Sequence, residues 1–531
     1  MRVAQRDSFV RGAFILMAAA LVTRVIGVFQ RLPLYWMIGP EGNGLYTASY
    51  DYYAIILGLS TSGINVAIAK QVAERMALGD EAGAHRIFRL SAWLMGTLGL
   101  VFSVVFFWAS PFLATQGFGN PAAYLSFVAV APAIFLVSLM APYRGWFQGL
   151  QVMMPVGVSL VVEQLARVAV MLALAYLLLP RGLDWAAAGA ATGAAAGAVA
   201  GLIYLVYAYS RARRVEKPPD TRPTSGKPEP ILNVFRQTLR LAVPVSLASL
   251  MFQLFMLVDT NLVLHRLTAA GFQLSAATTA FGQLKGPATT VVNLPTVLTF
   301  AIANSLVPAV SEALVLGRKE QIRQHSAAAV RMTLLLTIPA LVGLYLLASP
   351  IQLLLFRDSG AGAVTRALSG AVIFVPLQMT SSAILQGLGK VTAPVWNLAA
   401  GAVVKLILTW VLTANPNLGV SGAAYATAIG FFVAAALNLS LAQWLVGSVF
   451  EWMGMVIKPC LASVAMGLAV AGSYGWLYSL WPSNGVATLA AITVGVATYG
   501  VALLLLGGIN RSDLEVAPGL ARIAQRLPFI R

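Results

Sequence analysis

Apolar runs of about 20 residues recur more than a dozen times along this chain, and a helix of that length matches the hydrocarbon thickness of a bilayer. Backbone facing lipid must satisfy its hydrogen bonds internally, so such a chain folds as a bundle of membrane-spanning helices. A window of about 19 residues gives around fourteen spans. They fall near 12–34, 45–69, 90–113, 122–141, 154–179, 186–209, 238–264, 276–309, 330–355, 364–388, 392–413, 420–446, 457–481 and 486–508. The fold class is therefore an all-α polytopic membrane protein. Only 10% of the 531 residues are charged, against about 25% in soluble domains, and mean hydropathy is +0.80, which excludes an ordinary soluble enzyme. Arg2, Arg6 and Arg11 before the first run give the outline of a signal peptide. That run contains Arg24, however, and similar runs follow, so it is read as the first membrane helix. Cys460 stands alone, and His85, His265 and His325 lack metal-ligand spacing, so disulfide scaffolds and zinc chemistry drop out and no metal site is expected.

The net charge of +17 would suggest nucleic acid in a soluble protein, but here the basic residues sit between apolar runs and report topology. With the N-terminus in the cytoplasm, the outer connectors hold four of the 35 lysines and arginines (Arg181, Arg266, Arg357, Arg366). Five more lie at membrane depth, and the remaining 26 are on the inner side, including the tail from 509. Both termini are expected to be cytoplasmic.

The stretch RARRVEKPPDTRPTSGK (211–227) is rich in both proline and charge and reads as a solvated linker. It separates halves that repeat at an offset of 238: Glu74, Leu78 and Gly79 meet Glu312, Leu316 and Gly317, Gln148-Gly149-Leu150 meets Gln386-Gly387-Leu388, and Arg167 meets Lys405. The expected organisation is an N-lobe of six helices (1–210), a basic linker (211–237), a C-lobe of six helices (238–446), and a C-terminal part (447–531) with two further helices and a basic tail. Six spans per copy give both lobes the same orientation, related by an axis along the membrane normal. A transporter of that plan holds its substrate between lobes that open to each side in turn.

The segments RGAFILMAAALVTRVIGVFQRLPLYWMIGPEGNGLY (11–46), LSTSGINVAIAKQVAE (59–74), YRGWFQGLQVMMPVGVSLVVEQLARV (143–168), VDTNLVLHRL (258–267) and FGQLKGPATTVVNLPTVLTFAIANSLVPAVSEA (281–313) resemble the stage V sporulation protein B branch of the multidrug/oligosaccharidyl-lipid/polysaccharide exporter superfamily, close to the MurJ lipid II flippases. The resemblance covers the whole chain, including the last two helices. It implies export of an undecaprenyl-diphosphate-linked sugar across the bacterial inner membrane, driven by an ion gradient or the membrane potential.

Charged residues at membrane depth carry the chemistry. Arg24 and Arg31 lie in span one, where an arginine costs roughly 2.5–3.5 kcal/mol to insert. They either line a wet cavity, where the guanidinium fork suits a diphosphate, or pair with a carboxylate such as Asp51 or Asp259; Arg31 alone could instead snorkel from a helix end. The flippase pattern places a second arginine directly after Ser-Arg-Val-Leu-Gly. Here Thr23-Arg24-Val25-Ile26-Gly27 is followed only at Arg31, with no aspartate, and Ser60, Thr61 and Ser62 stand where the flippases carry an arginine pair. Lys285, between Gly282 and Gly286-Pro287, marks a break in span eight and roughly matches a flippase arginine. Asp259 is either a charge partner or an ion-coupling site, and the resemblance adds sodium to the second reading. Asp51, among Tyr46, Tyr50, Tyr52 and Tyr53, is similar but reads better as interfacial. Glu163 and Arg167, four apart on span five, read first as an intrahelical pair. Lys405 occupies the repeat-related position with Gly401 where the acid would be. The small-residue runs at 185–201 and 421–430 read as packing surfaces.

The chain contains no Walker sequence, so ATP is not the direct energy source. The reading is a monomeric flippase for a lipid-linked cell-wall or polysaccharide precursor, coupled to sodium or protons, with membrane lipids as its surroundings and no other cofactor. A cation-coupled drug exporter would need an acidic cavity. A membrane glycosyltransferase would need paired acids outside, where only Glu41, Asp184 and Asp358 occur.

Overall fold

The computed structural model describes residues 9–58, 63–215 and 231–508, and all regular structure among them is helical. The chain forms two compact units, Met1–His265 with Gln273–Gly282, and Arg266–Phe272 with Gln283–Arg531. The first contains α1 (Phe9–Phe29), α2 (Arg31–Leu57), α3 (Gly63–Ala77), α4 (Glu81–Phe112), α5 (Tyr124–Gly149), α6 (Met154–Leu178), α7 (Leu183–Val215), most of α8 (Ile231–Ala269) and nearly all of α9 (Leu274–Gln283). The second contains α10 (Thr289–Val292), α11 (Thr296–Val315), α12 (Lys319–Leu346), α13 (Ala348–Phe356), α14 (Ala361–Leu368), α15 (Ala371–Gly387), α16 (Ala393–Leu412), α17 (Val420–Val446), α18 (Lys458–Leu480) and α19 (Asn484–Leu505).

Eleven of these helices are long and apolar enough to cross a membrane, and the bent pairs Phe14–Phe29 with Arg31–Leu57 and Ala361–Leu368 with Ala371–Gly387 raise the number to thirteen. The remaining predicted span, 45–69, crosses residues 59–62, so Ser60, Thr61 and Ser62 lie outside the described residues. So do 216–230 of the predicted linker and the tail after 508. Exposed tryptophans and long aliphatic side chains cover the outward faces of the helices, as expected for side chains that meet lipid rather than water.

Adding 238 to the bounds of α4 (81–112) gives 319–350, against α12 at 319–346, and adding it to α6 (154–178) gives 392–416, against α16 at 393–412. The backbone repeats too. Left-handed residues pair at that offset: Gly79 (φ 72°) with Gly317 (φ 68°), Gly119 (φ 92°) with Arg357 (φ 57°), and Gln151 (φ 59°) with Gly389 (φ 76°).

Within the first unit, α7 lays a glycine stripe along α6. A Cβ at Gly189 would come within 2.8 Å of the Leu174 backbone, one at Gly193 within 2.7 Å of the Arg167 carbonyl, and one at Gly197 within 2.6 Å of the Glu163 carbonyl. Spaced four apart, these glycines share one helix face and let the backbones touch, which supplies dispersion contact where lipid leaves no hydrophobic drive between helices. In the second unit the glycine changes helix: Gly401 of α16 meets the Gly430 carbonyl of α17.

Helix α8 runs antiparallel along α3 and α2 through four polar contacts. Gln71 Nε2 donates to Thr238 Oγ1 (2.9 Å), Gly63 N to Ser246 Oγ (3.2 Å), Thr260 Oγ1 to Asp51 (2.5 Å), and the Tyr52 hydroxyl to Asn261. The compact units divide within 266–282, so most of α8 belongs to the first.

The two helices outside the repeat, α18 and α19, pack on the other helices of the second unit. The Tyr499 hydroxyl donates to the Leu335 carbonyl (2.8 Å) and Asn484 Nδ2 to the Pro350 carbonyl (3.0 Å). Arg331 and Lys458 donate to the carbonyls of Gly508 and Gly507 (2.9 and 2.8 Å), so two cations meet the negative end of α19.

Gly197→Val should push α7 off α6, at an overpacking cost of roughly 1–3 kcal/mol. The expected result is a lower melting temperature and less monodisperse protein in detergent, whereas the same change at the open Gly472 should leave both at wild-type values.

Candidate functional site

In the first unit α1 lies on α6: a Cβ at Gly157 would stand 3.1 Å from Ile15, and Gln164 Nε2 donates to Gln30 Oε1 (3.0 Å). Arg31 opens α2 after a 40° bend, and Gly39, at φ 64°, bends α2 again before Pro40. Arg24 and Arg31 are both exposed. A guanidinium exposed inside a span needs water, headgroups or a charge partner, because the same position against lipid carries the full insertion cost.

Helix α2 uses two faces. Asp51 and Tyr52 meet Thr260 and Asn261 of α8, which brings Asp51 next to the turn that carries the buried Asp259. Tyr50 points to α6, and its ring stands 6.0 Å from that of Tyr46 and 5.5 Å from that of Tyr53. Gly44 and Gly282 then let α9 close on α2, where Asn43 Nδ2 donates to the Gly282 carbonyl (2.9 Å).

Among the described residues, a three-charge cluster lies between α5 and α6. Glu163 accepts from Arg167 Nη2 at 2.6 Å through one carboxylate oxygen and from Arg144 Nη2 at 2.8 Å through the other. Arg144 Nε also donates to Ser159 Oγ (3.2 Å), and Arg167 Nη1 to the Tyr50 hydroxyl (3.1 Å). The intrahelical pair is therefore one edge of a three-charge bridge. Arg144 was the residue missed: Pro142 closed the apolar window, so 142–151 read as a connector, yet α5 continues through that proline to Gly149. Its signal was an arginine two residues after a proline in an apolar helix.

In the second unit Lys285 is buried within a π-helical turn, Leu284–Ala288, that includes Pro287 and interrupts span eight where the sequence predicted a break. Next to it, Gln283 Nε2 donates to Asp358 (3.0 Å), whose other oxygen accepts from Gly360 N (2.8 Å). Lys405 is fully buried in α16. At the offset of 238, Arg144, Ser159 and Glu163 become Ser382, Asn397 and Gly401. Neutral hydrogen bonds replace the charge bridge there. Asn397 donates to Asn438 (2.8 Å), Asn438 to Ser382 (3.0 Å) and Ser381 (3.3 Å), and Gln378 to Ser382 (3.1 Å). An acid at 401 has no room, because Gly401 meets the α17 backbone. The structure thus joins Asp51 to the Asp259 turn and Arg167 to Glu163, while Asp259 and Lys285 fall in different compact units.

Arg144→Met removes two hydrogen bonds of this bridge. A charged hydrogen bond contributes about 1.5–3 kcal/mol. Melting of the purified protein should drop clearly for Arg144→Met and only slightly for Ser159→Ala; equal shifts would show that the Arg144–Glu163 contact carries little.

Residues 9–314 match the family described as polysaccharide biosynthesis protein. The chain is 28% identical to stage V sporulation protein B of Bacillus subtilis (strain 168), over 98% of this chain and 100% of that protein. It is 27% identical to the lipid II flippase MurJ of the same organism, over 98% of each. Among solved structures, lipid II flippase MurJ in an inward closed conformation superposes with a TM-score of 0.69 at 14% identity, covering 93% of this chain and 98% of that one. An inward-facing multidrug resistance MATE family transporter of the MOP superfamily gives 0.67 at 17% identity, covering 81% and 98%.

Proposed function

Because the chain belongs to the polysaccharide biosynthesis protein family, we propose that it is an alternating-access exporter that moves an undecaprenyl-diphosphate-linked saccharide across the bacterial inner membrane. The cargo is a lipid II-like precursor or a polysaccharide repeat unit. The observation that carries this reading is the charge at membrane depth: Arg24, Arg31, Arg167, Lys285 and Lys405 against Asp51, Glu163 and Asp259. A cationic drug would be repelled by that balance and a diphosphate drawn to it. The protein acts as a monomer, with no ATP and no group-transfer chemistry.

Arg24 is the first residue in the cargo's path. Its guanidinium is permanently protonated and presents paired donors to phosphate oxygens, which a lysine ammonium cannot do in a fixed plane. Arg24→Lys should therefore retain part of the transport per folded molecule, Arg24→Ala should lose most of it, and Arg24→Glu all. The measurement pairs size exclusion of solubilised protein with flipping of a polyprenyl-diphosphate sugar in proteoliposomes. A well-folded Arg24→Ala protein with normal transport would remove Arg24 from the site.

The acids of the α2–α8 contact serve energy coupling. Two carboxylates, Asp51 and Asp259, and the Thr260 hydroxyl are hard oxygen donors that suit sodium, or a proton shared between them. When bound, the ion would offset the cost of keeping Asp259 charged in a buried position. Asp259→Asn should flatten the dependence of transport on sodium and pH measured separately, and an unchanged dependence would leave Asp259 as a charge partner only.

A further inference from the structure

The Glu163 carboxylate holds two guanidiniums from two different helices, one on each oxygen. Paired arginines also bind phosphate with separate oxygens of one anion accepting from separate guanidiniums. The groups facing the cluster are Arg144 of α5, Glu163 and Arg167 of α6, and Tyr46, Tyr50 and Tyr53 of α2: two cations, one acid and three neutral phenols. Among the described residues of the cluster, one positive charge is left over inside a span, where charge is expensive. Buried Nε of Arg167 also finds no hydrogen-bond partner among the described residues. The clamp thus has donor capacity and charge that Glu163 does not use.

We propose that Arg144 and Arg167 form an anion-binding subsite for a phosphate or diphosphate group, which Glu163 fills as an internal stand-in for the ligand. Each side chain of the bridge is about one-tenth exposed, so the clamp is nearly sealed with Glu163 in place. A diphosphate can accept from both guanidiniums and from Arg167 Nε, and its greater charge matches the pair better than one carboxylate does. Swinging Glu163 aside opens the site. The clamp is also a ladder. Arg144 lies five residues, about 7 Å, before α5 ends at Gly149, while Glu163 and Arg167 lie nine and thirteen residues into α6, about 13 and 20 Å. An anion entering at the α5–α6 turn would meet Arg144 first and be handed inward to Arg167. In the second half of the repeat Gly401 replaces the stand-in acid, so the device belongs to the first half alone. The ligand class rests on the diphosphate-linked cargo proposed above.

The test is binding of inorganic pyrophosphate to the full-length protein in detergent by calorimetry. E163Q should bind about tenfold more tightly than wild type, and E163Q with R167M should lose that gain. Equal affinity in E163Q and wild type overturns the proposal, as does a gain that survives R167M. Where E163Q yields too little folded protein, E163D, which withdraws the carboxylate by one methylene, should shift in the same direction, and wild-type affinity in E163D counts against the clamp. Nanodiscs rich in phosphatidylglycerol separate the sources: a gain by E163Q for that phospholipid but not for pyrophosphate overturns the ligand class. Failure of wild type to flip a polyprenyl-diphosphate sugar while E163Q still gains pyrophosphate affinity would overturn the cargo and leave the clamp standing.

Discussion

A charged side chain inside a bilayer must have a partner or water, and the arrangement of this protein follows from how each such residue meets that demand. Glu163 meets it with two arginines, and Asp51 with the Thr260 hydroxyl. Arg24, within α1, and Arg31, at the bend that opens α2, both have exposed side chains. These are the places where the helices cannot be simple apolar rods, and the proposed cargo and ion sites are drawn from them.

Apolar packing makes those placements possible. Glycines 189, 193 and 197 bring α7 against the α6 backbone at Leu174, Arg167 and Glu163, which turns the two charged side chains of α6 toward α5 and α2. In the second unit Gly401 takes over the close contact, and that substitution itself excludes an acid at the repeat-related position. The halves of the repeat have thus diverged in chemistry while keeping nearly the same helix starts in α4 and α12 and in α6 and α16, and the same left-handed turns at Gly79 and Gly317.

The span pattern, the repeat and the broken span eight were legible because they depend on run length, on polar letters at a fixed offset, and on Gly286-Pro287 beside Lys285. The partners were not. Arg144 and Glu163 are 19 residues apart, and Asp51 and Thr260 are 209 apart, so no local spacing announces either contact. Hydropathy also ended span four at Pro142, although proline is tolerated inside membrane helices where neighbours satisfy the freed carbonyl. The contacts of α8 were not legible for a related reason. A proline-rich linker marks where the repeat was joined, whereas four polar contacts tie α8 to α2 and α3.

The central claim is that cationic side chains at membrane depth select an anionic, lipid-linked cargo. Wild-type protein in proteoliposomes without ATP, offered a polyprenyl-diphosphate sugar and a lipophilic cationic dye under the same ion gradient, tests it most directly. The account predicts movement of the diphosphate lipid, inhibition by a non-hydrolysable diphosphonate analogue, and no gradient-driven accumulation of the dye. Accumulation of the dye with no movement of the diphosphate lipid would contradict it.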